Sequence, residues 1–198
     1  LKVGHAGTLD PLATGILLVC VGRATKIAES LQAHTKEYVA TIEFGATTPS
    51  FDLEKDIDAL YPHEHINREA VEAALKDFIG TQEQVPPVFS AKMINGARAY
   101  EYARSGAEVE MKASTITIEE AELLDFSRGC EGRPAATVCL RCSKGTYVRS
   151  FARDLALALG SGGHLTALRR TASGDFKINN AISLDFLQSS DNFAVSLP

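Results

Sequence analysis

An α+β fold is predicted for this chain of 198 residues, on three observations. Lys36 to Phe44 and Ala135 to Cys142 alternate between two faces, the period of a strand. Val71, Ala74, Leu75 and Phe78 recur at i, i+3, i+4 and i+7, the period of a helix, and Val148, Phe151, Ala152, Leu155 and Leu159 mark a second helical stripe. No internal repeat, low-complexity stretch or linker divides the chain, so residues 1–198 are read as one domain.

Each element has its own signal. Ile16 to Val21 is an apolar run and reads as a buried strand. A short helix follows around Ala24 to Leu31, with Ile27, Ala28 and Leu31 on one face. In Lys36 to Phe44, Tyr38, Ala40, Ile42 and Phe44 alternate with Val39, Thr41 and Glu43. Asn67 has the chemistry of an N-cap for the helix carrying Val71 to Phe78, and Gly80 is a stop signal. Asn95-Gly96 marks a turn before a short helix at Tyr100 to Arg104. Thr115 to Ile118 and Ala135 to Cys142 read as strands, and the Val148 helix ends at Gly160.

Composition bounds the function classes. Hydrophobic residues make up 45% and charged residues 23%, which is ordinary for a globular domain. The longest apolar run, Ile16 to Val21, is far too short to span a membrane, and no signal peptide is visible. The net charge of −5 speaks against a basic nucleic-acid binder when taken as a sum. Its distribution is uneven, with acids dense in Asp52 to Glu83 and Glu108 to Glu122 and bases recurring from Arg141 through Lys144, Arg149 and Arg153 to Arg169 and Arg170. A basic groove on an acidic protein is compatible with that pattern. Cys139-Leu140-Arg141-Cys142 matches a metal or redox pair, but in an alternating strand residues three apart face opposite sides. Reduced, cytosolic thiols fit better. His63-Glu64-His65 follows Tyr61-Pro62 and reads as a solvated loop. No P-loop, dinucleotide fingerprint or metalloprotease motif is present.

One run carries chemistry. In Gly4-His5-Ala6-Gly7-Thr8-Leu9-Asp10-Pro11-Leu12-Ala13-Thr14-Gly15 a lone carboxylate stands among glycines, threonines and a proline. No second acid lies within ten residues after it. Glycine lets backbone approach a ligand, and Pro11 fixes the residue after the acid. A rigidly presented single carboxylate suits a nucleophile better than half of an acid/base pair. An ordinary Asp-Pro turn is the bland alternative.

Lys2 to Gly15 resembles the active-site signature of the TruB family, the tRNA pseudouridine-55 synthases. Lys36-Glu37-Tyr38-Val39-Ala40 resembles the family's second motif, and Ser143-Lys144-Gly145-Thr146-Tyr147-Val148-Arg149 its third. Pro86 to Lys92 and Gly163 to Arg170 also fit, so the resemblance covers essentially the whole chain. It implies a pseudouridine synthase fold, a mixed and mainly antiparallel sheet with flanking helices and loops around a central RNA-binding cleft. It implies isomerisation of uridine to pseudouridine at position 55 in the T-arm of tRNA, with the base flipped out of the RNA. The reaction loses no group and changes no oxidation state, so no cofactor and no metal is expected. The expected partner is the tRNA T-arm stem-loop, met by a cytoplasmic monomer without an obligatory protein partner or a membrane.

The same resemblance assigns roles. Asp10 matches the catalytic aspartate; attack on the ribose, attack on the base and abstraction of a ribose proton are all open to it. Tyr38 matches the tyrosine that stacks on the target base, and Arg149 the arginine that pairs with Asp10. A guanidinium can fork onto a carboxylate and favour its anionic form. Tyr147 and Arg149, two apart, share a face if their segment is extended. His5 matches the histidine that fills the space left by the flipped nucleotide, and Leu168 a leucine lining the uracil pocket. Lys144, Arg169 and Arg170 are candidates for phosphate contacts, and Tyr147 joins them as an RNA-binding residue. Family members carry an N-terminal strand and a Lys-Pro loop before the Gly-His motif, and many end in a PUA domain. The motif here starts at residue 4, and the expectation is a short form without PUA. Where many members have an Asp soon after Phe-Gly, this chain reads Thr47-Thr48-Pro49-Ser50-Phe51-Asp52. The competing readings are a guide-dependent pseudouridine synthase, a non-catalytic RNA-binding or RNA-folding module, and a glycosidase with paired carboxylates.

Overall fold

The computed structural model describes residues 1–90, 92–94, 96–105 and 110–189. Asn95 of the expected turn and Ala91 of the Pro86 to Lys92 segment lie outside them. Strands β1 (Val3–His5), β2 (Thr14–Gly15) and β3 (Val19–Val21) come first. A tight 3₁₀ stretch, Gly22–Ile27, runs into α1 (Ala28–Gln32). Next come β4 (Lys36–Phe44), β5 (Ala46–Thr47), β6 (Ala59–Leu60), α2 (Arg68–Asp77) and β7 (Gly80–Gln84). After them follow β8 (Met93–Ile94), β9 (Ala97–Arg98), α3 (Ala99–Ser105), β10 (Ser114–Arg128) and β11 (Pro134–Cys142). The described chain ends with α4 (Val148–Ala158), β12 (Gly163–Ser173), β13 (Phe176–Lys177) and α5 (Leu184–Ser189).

The centre is one seven-stranded sheet in the order β13-β12-β4-β11-β10-β7, with β2 added to β12. All neighbours are antiparallel except β2 and β12, so the α+β class and the mainly antiparallel sheet are as expected. One sheet face carries Ala40, Ile42 and Phe44 from β4, Ala136, Val138 and Leu140 from β11, and Leu165 and Leu168 from β12. Helices α2 and α4 cover it with Val71, Leu75, Phe151 and Leu155, and Phe78 meets Phe151 edge to face at 5.3 Å. Those of β4, β11, α2 and α4 are the apolar stripes read from spacing alone. Tyr38, partly buried, packs against this core.

Asn67 caps α2 as its chemistry demands, its side-chain oxygen accepting from Ala70 N at 2.8 Å. Asn67→Ala should therefore lower the unfolding free energy by about 1 kcal/mol with an unchanged urea m-value. An unchanged midpoint would show that the cap is dispensable.

Several expectations need correction. The Ile16 to Val21 run is not a buried strand. Only Cys20 is buried in β3, while Val19 and Val21 are exposed, because β3 pairs with β1 alone as a two-stranded ribbon with one covered face. The helix expected at Ala24 to Leu31 is half 3₁₀, and Ile27 is exposed. Gly80 does more than stop a helix, since at φ 118° it opens β7. The strand expected at Thr115 to Ile118 continues to Arg128. Its later half is rich in acids, and two register shifts break the alternation. The whole of β12 was missed as a strand for the same reason: bulges after Leu165 and Arg170 interrupt its period of two. Cys139 and Cys142 do face opposite sides of β11, and burial pushes the Cys142 thiol up to about 11. Cys20, Cys139 and Cys142 are free thiols. No helix of the described residues is long and apolar enough to cross a membrane.

Candidate active site

At the open end of the core lies a cleft of about 650 Å³. Asp10, Tyr38, Lys144, Tyr147, Arg149, Leu168 and Arg170 line it, so the structure brings seven of the nine candidate residues to one place. The other two are not in its wall. His5 is exposed at the end of β1, paired with Val19. Arg169 is exposed on β12.

Asp10 sits in the loop between β1 and β2, with Ala13 N donating back to its carbonyl at 2.9 Å. Its carboxylate receives a two-pronged fork from Arg149, Nε to Oδ2 at 2.9 Å and Nη2 to Oδ1 at 2.8 Å, across 139 positions of sequence. Such a fork fixes both oxygens in one plane. Arg149 is 5% exposed and the Asp10 side chain 32%, so the carboxylate faces the cleft and the guanidinium stands behind it.

Arg149 has further partners. Its Nη1 donates to Ser50 O at 3.2 Å, and its Nε lies 3.7 Å from Asp52 Oδ2. Asp52 is 1% exposed and also accepts from Glu54 N. By sequence, the Thr47 to Asp52 segment departs from the family pattern. The structure instead brings its acid to the guanidinium. Phe51, between the two groups, adopts φ 60°, a left-handed conformation that costs a bulky residue about 1–3 kcal/mol. Thr48 Oγ1 donating to Asp52 O, Leu165 N donating to Phe51 O, and the Arg153 guanidinium 5.1 Å from the Phe51 ring centre hold that turn. A lone positive-φ phenylalanine leaves no mark in sequence, so Asp52 could be found only from the fold.

Arg149 is the second residue of α4, and Tyr147 is its N-cap. The segment is therefore not the extended one that put the two on one face; the helix start turns both into the cleft instead. Gln84, at the end of β7, grips the Tyr147 backbone from both directions, accepting from its N at 2.8 Å and donating to its O at 3.2 Å. Ser150 Oγ donates to Val85 O at 2.8 Å. These contacts of β7 and its exit fix where the helix begins, and Gln84 was not anticipated.

Tyr38 lies in β4 between Leu140 of β11 and Arg170 of β12. Burial raises the pKa of its hydroxyl, with the Arg170 charge opposing the rise. Burial likewise raises that of Tyr147. Both phenols are neutral at ordinary pH. Leu168 is at once core and cleft wall. Lys144 lines the cleft and is exposed.

Arg169 and Arg170, both candidates for phosphate contacts, differ in exposure. In β12 successive side chains point to opposite faces, so Arg169 is exposed while Arg170 is 1% exposed. Arg170 spends its donors on the carbonyls of Ile16, Gly7 and Thr8 rather than on solvent. Lys36 is also buried, its ammonium donating to the carbonyls of Gln32 and His34, and burial lowers its pKa.

No group of three side chains suited to a metal occurs among the described residues. His63 and His65 turn instead to the carbonyls of Tyr61 and Leu159. Asp10 and Asp52 are not a glycosidase pair, because Asp52 is buried behind Arg149 and cannot touch a substrate.

Residues 1–148 match the model of the TruB family pseudouridylate synthase N-terminal domain, and residues 149–194 match that of the tRNA pseudouridylate synthase B C-terminal domain. A protein of Phocaeicola vulgatus named tRNA pseudouridine synthase B is 57% identical over 185 residues, 93% of this chain and 77% of that protein. Its namesake in Flavobacterium johnsoniae is 47% identical over 189 residues, 96% of this chain and 80% of that one. Among solved structures, a chain of a Cbf5-Nop10-Gar1 complex superposes with a TM-score of 0.64 at 30% identity over 89% of this chain. A chain of an H/ACA RNP bound to a substrate RNA containing 2'-deoxyuridine gives 0.60 at 27% over the same share. This chain spans 42% and 40% of those two chains.

Proposed function

This chain belongs to the TruB family of pseudouridylate synthases, and we propose that it isomerises uridine 55 in the T-arm of tRNA. The observation that carries the reading is the cleft-facing carboxylate of Asp10, forked by a buried guanidinium, with Tyr38 beside it. The isomerisation breaks the bond from N1 to C1′ and joins C5 to C1′. A proton leaves C5 and N1 regains one, so nothing is oxidised and no group departs. A base in folded RNA cannot reach Asp10, so it must leave the stack and enter the cleft. There Tyr38 offers its ring for stacking and Leu168 an apolar wall. Asp10 acts as the nucleophile, and the fork from Arg149 fixes the direction of its oxygens. Lys144 and the exposed Arg169 meet phosphates, which positions the RNA without reading its bases. His5, beside the loop that presents Asp10, occupies the gap left by the flipped nucleotide.

We read the chain as one catalytic unit, since β12, which lies beyond the junction of the two matched models, sits in the sheet between β13 and β4. It works as a cytoplasmic monomer, with neither a cofactor nor an obligatory protein partner. The likeness to chains solved within a Cbf5-Nop10-Gar1 complex favours a second, guide-dependent reading. Release of tritium from 5-tritiated uridine in a T-arm stem-loop, with no guide RNA and no second protein, tests both. Release supports the first reading; none without guide, but release once a guide RNA and partner proteins are added, supports the second.

Tyr38 gives a graded test. Tyr38→Phe keeps the ring and loses the hydroxyl, whereas Tyr38→Leu loses stacking too, worth about 1–3 kcal/mol per base. Tyr38→Leu is expected to weaken the bound complex or slow it by the larger factor. If both variants matched wild type in rate and affinity, Tyr38 would be a core residue only.

A further inference from the structure

We propose that Arg170 is a positioning residue, a clamp that ties both limbs of the Asp10 loop to strand β12. Its Nη2 and Nη1 donate to Gly7 O at 3.3 Å and Thr8 O at 3.4 Å, on the limb entering the loop. Its Nε donates to Ile16 O at 2.8 Å, on the limb leaving it. The backbone of the same residue completes the grip, because Ile16 N donates to Arg170 O at 2.9 Å and Gly15 pairs with Arg170 in parallel register. Asp10 lies between the two limbs. One residue thus sets where the loop starts and where it ends.

The energetics make the clamp specific to a guanidinium. Arg170 is among the largest fully buried side chains, and among the described residues it makes no ion pair within 4.0 Å. A buried cation without a counter-ion is costly unless polar groups replace its water. Here the carbonyls of Gly7, Thr8 and Ile16 do so, through charge-assisted bonds stronger than neutral ones. Lysine brings one point charge and cannot span both limbs with a planar fork. Gly15 shows how close the contact is. It has φ 104°, and a Cβ there would stand 2.1 Å from Arg170 O, so the loop can lie on β12 only with glycine at this place.

The catalytic consequence rests on the reading of Asp10 as the reacting carboxylate, since misplacement by about 1 Å can cost on the order of 10²-fold in rate. Hydrogen exchange tests the clamp directly. In the wild-type protein the Ile16 amide should exchange as slowly as those of β12. In Arg170→Lys and in Gly15→Ala, faster exchange should be confined to residues 6–18 while β4 and β11 stay protected. Single-turnover tritium release should fall about 10²-fold, with the affinity for a T-arm stem-loop kept within about threefold. Three results would overturn the proposal. One is a wild-type Ile16 amide that exchanges like an exposed loop, a measurement that stands even if neither variant folds. Another is uniform loss of protection through the sheet. The third is affinity lost tenfold or more at an unchanged rate of the bound complex, which would make Arg170 a phosphate contact. Exchange does not depend on catalysis, so a wild-type protein that released no tritium would overturn the reading of the reaction and leave the clamp to be judged on exchange alone.

Discussion

Asp10→Asn is expected to abolish pseudouridine formation, by on the order of 10⁴-fold or more, while affinity for the RNA stays within about tenfold, or about 1.4 kcal/mol. The amide is nearly isosteric with the carboxylate, and the loop keeps its backbone contacts to Arg170 and β12. What is lost is the charge and the oxygen proposed as the nucleophile, and Asp52, the other acid at Arg149, is buried and cannot take its place. Single-turnover tritium release and filter binding measure the two quantities separately. Substantial turnover by the variant would remove Asp10 from the chemistry.

Arg149 variants should lose both stability and rate. The guanidinium touches Asp10, Ser50 O and Asp52, and it is itself buried. Arg149→Met leaves Asp52 buried without its cation, and breaking a buried pair in this way costs about 3–5 kcal/mol. Arg149→Lys keeps a charge but not the planar fork, so it should fold and yet place Asp10 poorly, with the rate down on the order of 10²-fold. Urea titration measures the first effect and single-turnover kinetics the second. Wild-type rates in Arg149→Lys would mean that a positive charge alone suffices and that the fork geometry is immaterial.

What was legible in the sequence depended on local regularity. The helix at Arg68–Asp77 announced itself through the Asn67 cap and the stripe from Val71 to Phe78, and the alternation in Lys36–Phe44 gave that strand with both its ends. The Asp10 motif was legible because proline, glycine and an isolated acid are local chemistry. β12 was not, since two bulges shift its alternation and hide a strand at the heart of the sheet. That omission propagated: without the strand, Arg169 and Arg170 looked equivalent, whereas the pleat sends one to solvent and the other into the Asp10 loop.

The sequence by itself determined the α+β class, the helical and strand stripes that build the core, and the residue types of the site: an acid, a tyrosine and an arginine in three separate motifs. Only the tertiary structure decided which partners those residues have. Asp10 and Arg149 are 139 positions apart, and Arg170 reaches Gly7 across 163. Local signals fix φ, ψ and periodicity over a few residues, and they hold no record of which distant backbone carbonyl or carboxylate will be at 3 Å. Asp52, Gln84 and the inward turn of Arg170 were therefore invisible until the sheet closed β12 onto β4 and set the start of α4 against the end of β7.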